Sequence, residues 1–146
     1  MKTRIVALDY GSARIGIALS DERKILASPL TVFECPKQKT STPLKLFEFL
    51  TDHAKKGGYE IEKIVVGLPL LMSGQKGDQA EEVLFFIKQL SKLTPSPIVT
   101  FDERLTTRQA ETVMKEGAVS RKNRAKAADQ LAAVIILQNY LEKGLN

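Results

Sequence analysis

Short apolar runs alternate along this chain with amphipathic stretches, and each change of period marks an element. Residues 4–8 hold four consecutive apolar side chains, Ile5 to Leu8, the pattern of a strand buried on both faces. Tyr10-Gly11-Ser12-Ala13 predicts a turn, with Gly11 expected at positive φ. Residues 14–20 then form a second strand, and so few turn residues favour a hairpin. Residues 25–33 predict a third strand, part of which Pro29 assigns to a sheet edge or a bulge. A polar loop over 34–43 leads to Thr42 and Pro43, expected as N-cap and first position of a helix. Leu46, Phe47, Leu50 and Ala54 form its apolar stripe, and Gly57-Gly58 end it.

The second half reads as helices alternating with strands. A strand over 61–68 has a buried centre, Ile64-Val65-Val66, and the glycine-punctuated loop GLPLLMSGQKG follows over 67–77. Asp78 and Glu81 have capping-box spacing before a helix carrying Val83, Leu84, Ile87 and Leu90. A fifth strand covers 97–101. Thr106 and Gln109 repeat the capping spacing before a helix with Ala110, Val113 and Met114 inward and Gly117 at its end. A basic loop then precedes a long apolar helix from about 125 to 143. Helical crossovers between the later strands imply parallel pairing. The expected fold class is therefore α/β: one domain over 1–146, with a five-stranded mixed sheet flanked by helices. Three of its strands are antiparallel and hairpin-connected, and two are parallel.

Composition narrows the function classes. A chain of 146 residues can bury about 70% of its unfolded surface without a metal or disulfide. Cys35 is the sole cysteine, so no intrachain disulfide forms and a reducing, cytoplasmic location is expected. The first apolar run is stopped at Asp9, too early for a signal peptide, and no segment approaches the roughly 18 apolar residues of a membrane span. The net charge of +5 is modest, but its distribution is uneven. Residues 115–126 hold five bases (Lys115, Arg121, Lys122, Arg124, Lys126) against one acid, Glu116. Such a segment attracts polyanions, the alternative being a solvated loop.

Three acids stand where chemistry gathers in open α/β sheets, outside the carboxyl ends of parallel strands. Asp9 ends the first strand and Asp102-Glu103 end the fifth; each alone has the plain reading of a turn residue. Asp129 lies among Ala125, Ala132, Ala133 and Ile136, the same face of the most apolar helix. A carboxylate there is costly unless it is paired or binds a metal, although an acid in a helix's first turn is also favoured by the dipole. A divalent cation would relieve the repulsion among three acids. All-oxygen ligation suits Mg²⁺ or Mn²⁺, and such ions activate water and stabilise the leaving oxygen of a phosphodiester. Arg121, Lys122 and Arg124, just before the helix carrying Asp129, could hold a phosphate backbone beside them. Spacing leaves open which of Asp102 and Glu103 joins the site, since neighbours on a strand face opposite ways.

The segments DYGSARIGIALSD (9–21), ASPL (27–30), GLPLLMSG (67–74), DERLTT (102–107) and AADQLAAVIILQNYL (127–141) resemble, in order and over nearly the whole chain, the bacterial YqgF/RuvX family. The resemblance implies the RNase H-like fold of the RuvC resolvases. It implies nuclease activity on structured nucleic acid: maturing the 5′ end of the 16S ribosomal RNA precursor in ribosome biogenesis, or resolving Holliday junctions in branched DNA. It maps the acidic triad onto Asp9, Glu103 and Asp129, and gives Arg14 and Arg104 a phosphate-binding or structural role. The ribosome is then a further candidate partner. Leu71 and Ser73 depart from the family's usual Asn and acidic or Asn residues.

Rival readings remain. DYGSARIG also looks like the first phosphate loop of actin-like kinases, which clamp ATP between two such domains where this chain supplies one. A non-catalytic nucleic-acid-binding module of the same fold is the second. A resolvase cuts two strands about a two-fold axis and so acts as a symmetric dimer, which leaves monomer and homodimer both open. Tyr10 is expected to pack rather than stack on a base, His53 to lie at a surface or edge, and Cys35 to be unactivated.

Overall fold

The structure is a computed structural model that describes residues 2–69, 73–75, 77–103 and 121–143; the side chains at 121–127 and 129 lie outside that description. The helix expected after Thr106 falls outside the described residues.

Five strands form one sheet in the order β3-β2-β1-β4-β5. β1 (Thr3–Tyr10), β2 (Arg14–Ser20) and β3 (Ala27–Glu34) pair antiparallel, whereas β4 (Glu60–Leu68) and β5 (Ile98–Asp102) extend the sheet parallel to β1. Two causes produce that split. Three intervening residues allow only a hairpin between β1 and β2, while helices α1 (Thr42–Gly57) and α2 (Asp78–Ser91) carry the chain back to the starting end before β4 and β5. Pro29 does both things its chemistry allows: β3 is an edge strand, and its register with β2 slips between Ile17 and Ala18, which face Thr31 and Pro29.

Strand alternation divides the core in two. Val6, Leu8, Ile64 and Val66 face α1 and α2, meeting Leu46, Leu50, Val83, Phe86 and Leu90. Ile5, Ala7 and Val65 face the opposite way, onto Ala133, Ile136 and Leu137 of α3 (Arg121–Lys143). The sheet is thus a buried middle layer between helices.

Four local expectations are corrected. Gly11 is not at positive φ; its small size is what matters, because a Cβ there would lie 2.7 Å from the Arg14 carbonyl oxygen that the Gly11 N–H binds at 2.9 Å. Thr42 lies inside α1, whose N-cap is Ser41 after a short 3₁₀ turn over Lys39–Ser41. The capping box at Asp78 does not form: Gly77 is the N-cap, and Asp78 and Glu81 are first-turn acids favoured by the helix dipole. The last helix starts at Arg121, so the basic residues from 121 to 126 belong to helical backbone and not to a loop. The end of α1 is as expected, with Gly58 left-handed at φ 72°.

Candidate active site

Asp9 and Glu103 come from strands that are not neighbours. β4 lies between β1 and β5, so the two residues are separated by two strand spacings, about 9.5 Å. Yet their side chains share a hydrogen bond. Gly67 of β4 resolves this. A Cβ at Gly67 would lie 2.7 Å from both Cγ and Cδ of Glu103, and 2.6 Å from Cδ1 of Ile136. The Glu103 side chain therefore crosses the middle strand at the one place where no side chain obstructs it. Asp9 continues the alternation of Ile5 and Ala7, and Gly67 that of Val65, so the meeting lies on the α3 face of the sheet.

The electrostatics agree with that placement. Burial lifts the Glu103 carboxyl above the usual carboxylate range; the hydrogen bond to Asp9 opposes the shift, and the neighbouring charge of Asp102 adds to it. Two carboxylates in hydrogen-bond contact cannot both be bare anions, and a proton or a cation must lie between them. Oxygen-only donors of this kind fit a hard divalent ion. Among the described residues no group of three or more His, Cys, Asp or Glu side chains gathers closely enough to hold a metal. Asp102 remains outside the pair and acts on Glu103 through its charge.

The backbone locates position 129. Tyr140 of α3 accepts a hydrogen bond from Lys63 near the start of β4 (2.8 Å), and Ile136 reaches Gly67 near its end. α3 thus runs antiparallel to β4. Position 129 lies seven residues earlier, about 10 Å further along the helix axis in the direction of the carboxyl ends of the strands. Asp129 is the ninth residue of this helix, two turns beyond its first residue Arg121, so a first-turn dipole contact does not account for an acid there. Helical spacing puts position 129 on the face of Ala133 and Ile136, both fully buried. Arg121, Lys122 and Arg124 occupy the first turn of the same helix, at the same end of the sheet.

A cavity of about 230 Å³ opens over the acid pair, lined by Asp9, Tyr10, Gly11, Ser12, Pro69, Gln79, Glu82, Val83 and Glu103. Arg14 is not in that lining; it opens β2 opposite Glu34. Arg104 falls outside the described residues. Three contributors escaped the sequence reading. Gly67 is the crossing point. Glu82 and Gln79 of α2 join the wall, the hydroxyl of Tyr10 donating to Glu82 at 3.2 Å. Tyr10 packs on Phe86 with ring centroids 4.6 Å apart, as expected, and burial with the nearby Glu82 charge raises its pKa to about 12. Only the G-L-P run after an apolar strand hinted at Gly67, and α2's periodicity alone gave no sign of which helix residues reach the site.

Two other residues are settled. Cys35 sits 3.7 Å from the Gly11 carbonyl, and burial pushes its pKa to about 11, so it is a structural thiol without activation. His53 has a definite partner, Nδ1 lying 2.8 Å from the Tyr59 hydroxyl, and is half-buried against Phe49.

The comparisons with known proteins bear on this geometry. The sequence profile of a family described as "RuvX: Holliday junction resolvase" matches residues 3–143. A protein of Protochlamydia amoebophila (strain UWE25) named "Putative pre-16S rRNA nuclease" is 48% identical over 140 residues, which cover 96% of this chain and 93% of that protein. Among solved structures, T. thermophilus RuvC in complex with Holliday junction substrate aligns over 96% of both chains with TM-score 0.54 at 15% identity. The fowlpox virus Holliday junction resolvase aligns over 97% and 99% with TM-score 0.57 at 11% identity. These two likenesses are of fold, and the fold is RNase H-like.

Proposed function

The chain is a nuclease of the RuvX family, and from that premise we propose that it is a metal-dependent endonuclease of structured nucleic acid that processes the 5′ end of the 16S ribosomal RNA precursor. The observation that carries the catalytic part is the pair of carboxyls, Asp9 and Glu103, hydrogen-bonded across Gly67 at the carboxyl ends of the parallel strands.

Asp9, Glu103 and Asp129 would hold Mg²⁺ or Mn²⁺, which when bound supplies an activated water and offsets charge on the phosphodiester oxygens. The three residues belong to β1, the end of β5 and α3, and the packing of α3 on the sheet supports their acting together. Water oxygen attacks phosphorus, the bond to the leaving sugar oxygen breaks, and that oxygen takes up a proton. Arg121, Lys122 and Arg124, in the first turn of α3, hold the flanking phosphates, and Arg14 and Arg104 are the further candidates for backbone contacts. The ribosomal substrate rests on the name carried by relatives such as the Protochlamydia protein.

The family description favours a second reading, a resolvase of branched DNA acting as a homodimer. One assay separates them: ribosomal RNA precursor and a four-way DNA junction offered side by side with Mg²⁺, with Mn²⁺ and with chelator. Metal-dependent cleavage of the RNA at a defined 5′ position is the expected result. Symmetric nicking of the junction with the RNA intact would favour the resolvase. Binding of either without cleavage in any metal would leave a non-catalytic module.

A further inference from the structure

Beside the acid pair, a second cavity of about 270 Å³ lies between α2 and the start of α1, lined by Tyr10, Lys39, Thr40, Thr42, Pro43, Glu82, Phe85, Phe86 and Gln89. We propose that it is a subsite for one unpaired nucleobase of the substrate strand, stacked on Phe85 next to the phosphate to be cut. The inference rests on the nuclease reading above and adds the feature of the substrate that this protein selects.

Phe85 is the central residue. It is 65% exposed, the most exposed large apolar side chain among the described residues, although its neighbour Phe86 is 3% exposed and stacked on Tyr10. A lone exposed aromatic is common on protein surfaces. This one borders a cavity that continues the active site: Tyr10 and Glu82 line both spaces. Glu82, Phe85, Phe86 and Gln89 are spaced i, i+3, i+4 and i+7, one face of α2.

The cavity's size and chemistry suit a base. Its volume falls just under the roughly 300–1,000 Å³ of pockets for drug-sized ligands. An aromatic face offers a stacking surface that any base can use. Gln89 presents both a donor and an acceptor, and the Glu82 carboxylate accepts, so a base edge with exocyclic N–H groups finds partners. Lys39, exposed on the opposite wall, places a positive charge where the adjoining phosphate would run. An apolar peptide would gain less from a rim of Lys39, Glu82 and Gln89. A paired base cannot enter, because its edge and both faces are already occupied in the duplex. The site therefore reads an unpaired residue flanking a structured region.

The test is binding, read in chelator so that cleavage does not interfere. A fluorescein-labelled RNA hairpin with a single-stranded overhang is titrated by fluorescence anisotropy, alongside probes carrying an abasic residue at each overhang position in turn; DNA versions form the second arm. For the wild type, one abasic position should weaken binding about 5- to 150-fold, the range of a base stacked on an aromatic side chain. Phe85→Ala should lose a similar factor on the intact probe and show no further abasic penalty, whereas Phe85→Tyr should retain both. Phe85 is mostly exposed, so these variants should fold, and circular dichroism checks that. A full abasic penalty persisting in Phe85→Ala, or wild-type affinity in that variant, overturns the subsite. A penalty in either the RNA or the DNA arm upholds it and identifies the sugar preferred. A wild type that shows the Phe85-dependent penalty yet never cleaves with Mg²⁺ or Mn²⁺ keeps the subsite and sinks the nuclease mechanism; cleavage without that penalty does the reverse.

Discussion

The two ends of one sheet treat acids in opposite ways. Where β1 and β4 begin, acids meet bases: Glu22 lies 3.5 Å from Lys2 and 3.9 Å from Arg4, and Glu62 lies 3.2 Å from Lys24. Partial burial pushes the Glu62 carboxyl up, but hydrogen bonds to Lys24 and Thr3 and the charge of Lys24 outweigh it and hold the carboxyl below its usual value. Where β1 and β5 finish, Asp9 and Glu103 meet each other, and burial raises the Glu103 carboxyl. The first end resembles the paired surface of any stable domain. The second is a stored electrostatic burden, tolerable only if a proton or cation joins the pair, and such burdens mark functional sites.

The sharpest way to break the contrast is at position 129. Asp129→Asn should lower cleavage of whichever substrate proves active on the order of 10⁴-fold, the scale of losing one member of a catalytic unit, with the thermal midpoint held or slightly raised. Wild-type rates in Mg²⁺ would remove Asp129 from the site.

Gly67→Ala should come next. The added Cβ must displace Glu103 or Ile136, which predicts about 1–3 kcal/mol of destabilisation from overpacking and a cleavage loss of about 10²-fold from misplacing the carboxylate. Gly58→Ala is the control: φ of +72° makes it costly in stability, with nothing within 4 Å of the new Cβ and no effect expected on cleavage. Equal activity losses in the two variants, after correcting for the fraction folded, would mean that Gly67 matters only for stability.

A smaller effect is expected from replacing Arg121, Lys122 and Arg124 with Gln. The slope of log affinity against log salt should flatten by about 0.7–0.9 for each phosphate that is no longer neutralised. An unchanged slope would return these residues to a solvating role.

The smallest effects separate the two ends by pH. Glu103 has a raised folded-state pKa, so its contribution to stability is present in acid and is lost as pH rises through that value. Glu62 has a lowered one, so its contribution is present above its unfolded pKa and is lost as pH falls. In thermal melts without metal, Glu103→Gln should gain on the wild type as pH goes from 4 to 7, and Mg²⁺ should close the gap by stabilising only the wild type. Glu62→Gln should lose less than about 1 kcal/mol at neutral pH, and the difference should vanish in acid. Parallel pH profiles for the two variants would erase the distinction between the ends.

Much of this was legible in the residues themselves. Among the described residues the order of strands and helices followed from hydrophobic period, because burial on two faces, one face or none leaves its mark on each of those runs. Loop length dictated which strands pair as hairpins. Residue type and position singled out Asp9, Asp102-Glu103 and, on an apolar helix face, Asp129, with Pro29 as an edge residue; the choice of Glu103 over Asp102 came from the family resemblance and not from the spacing. Sequence could not say which elements would become neighbours in space. That Glu103 reaches Asp9 depends on β4 inserting between their strands and on the one β4 residue at the crossing lacking a side chain. That Glu82 and Phe85 border the site depends on how α2 lies across Tyr10. Periodicity records how deeply a residue is buried, but not what it is buried against, and the site is made of just such contacts between distant parts of the chain.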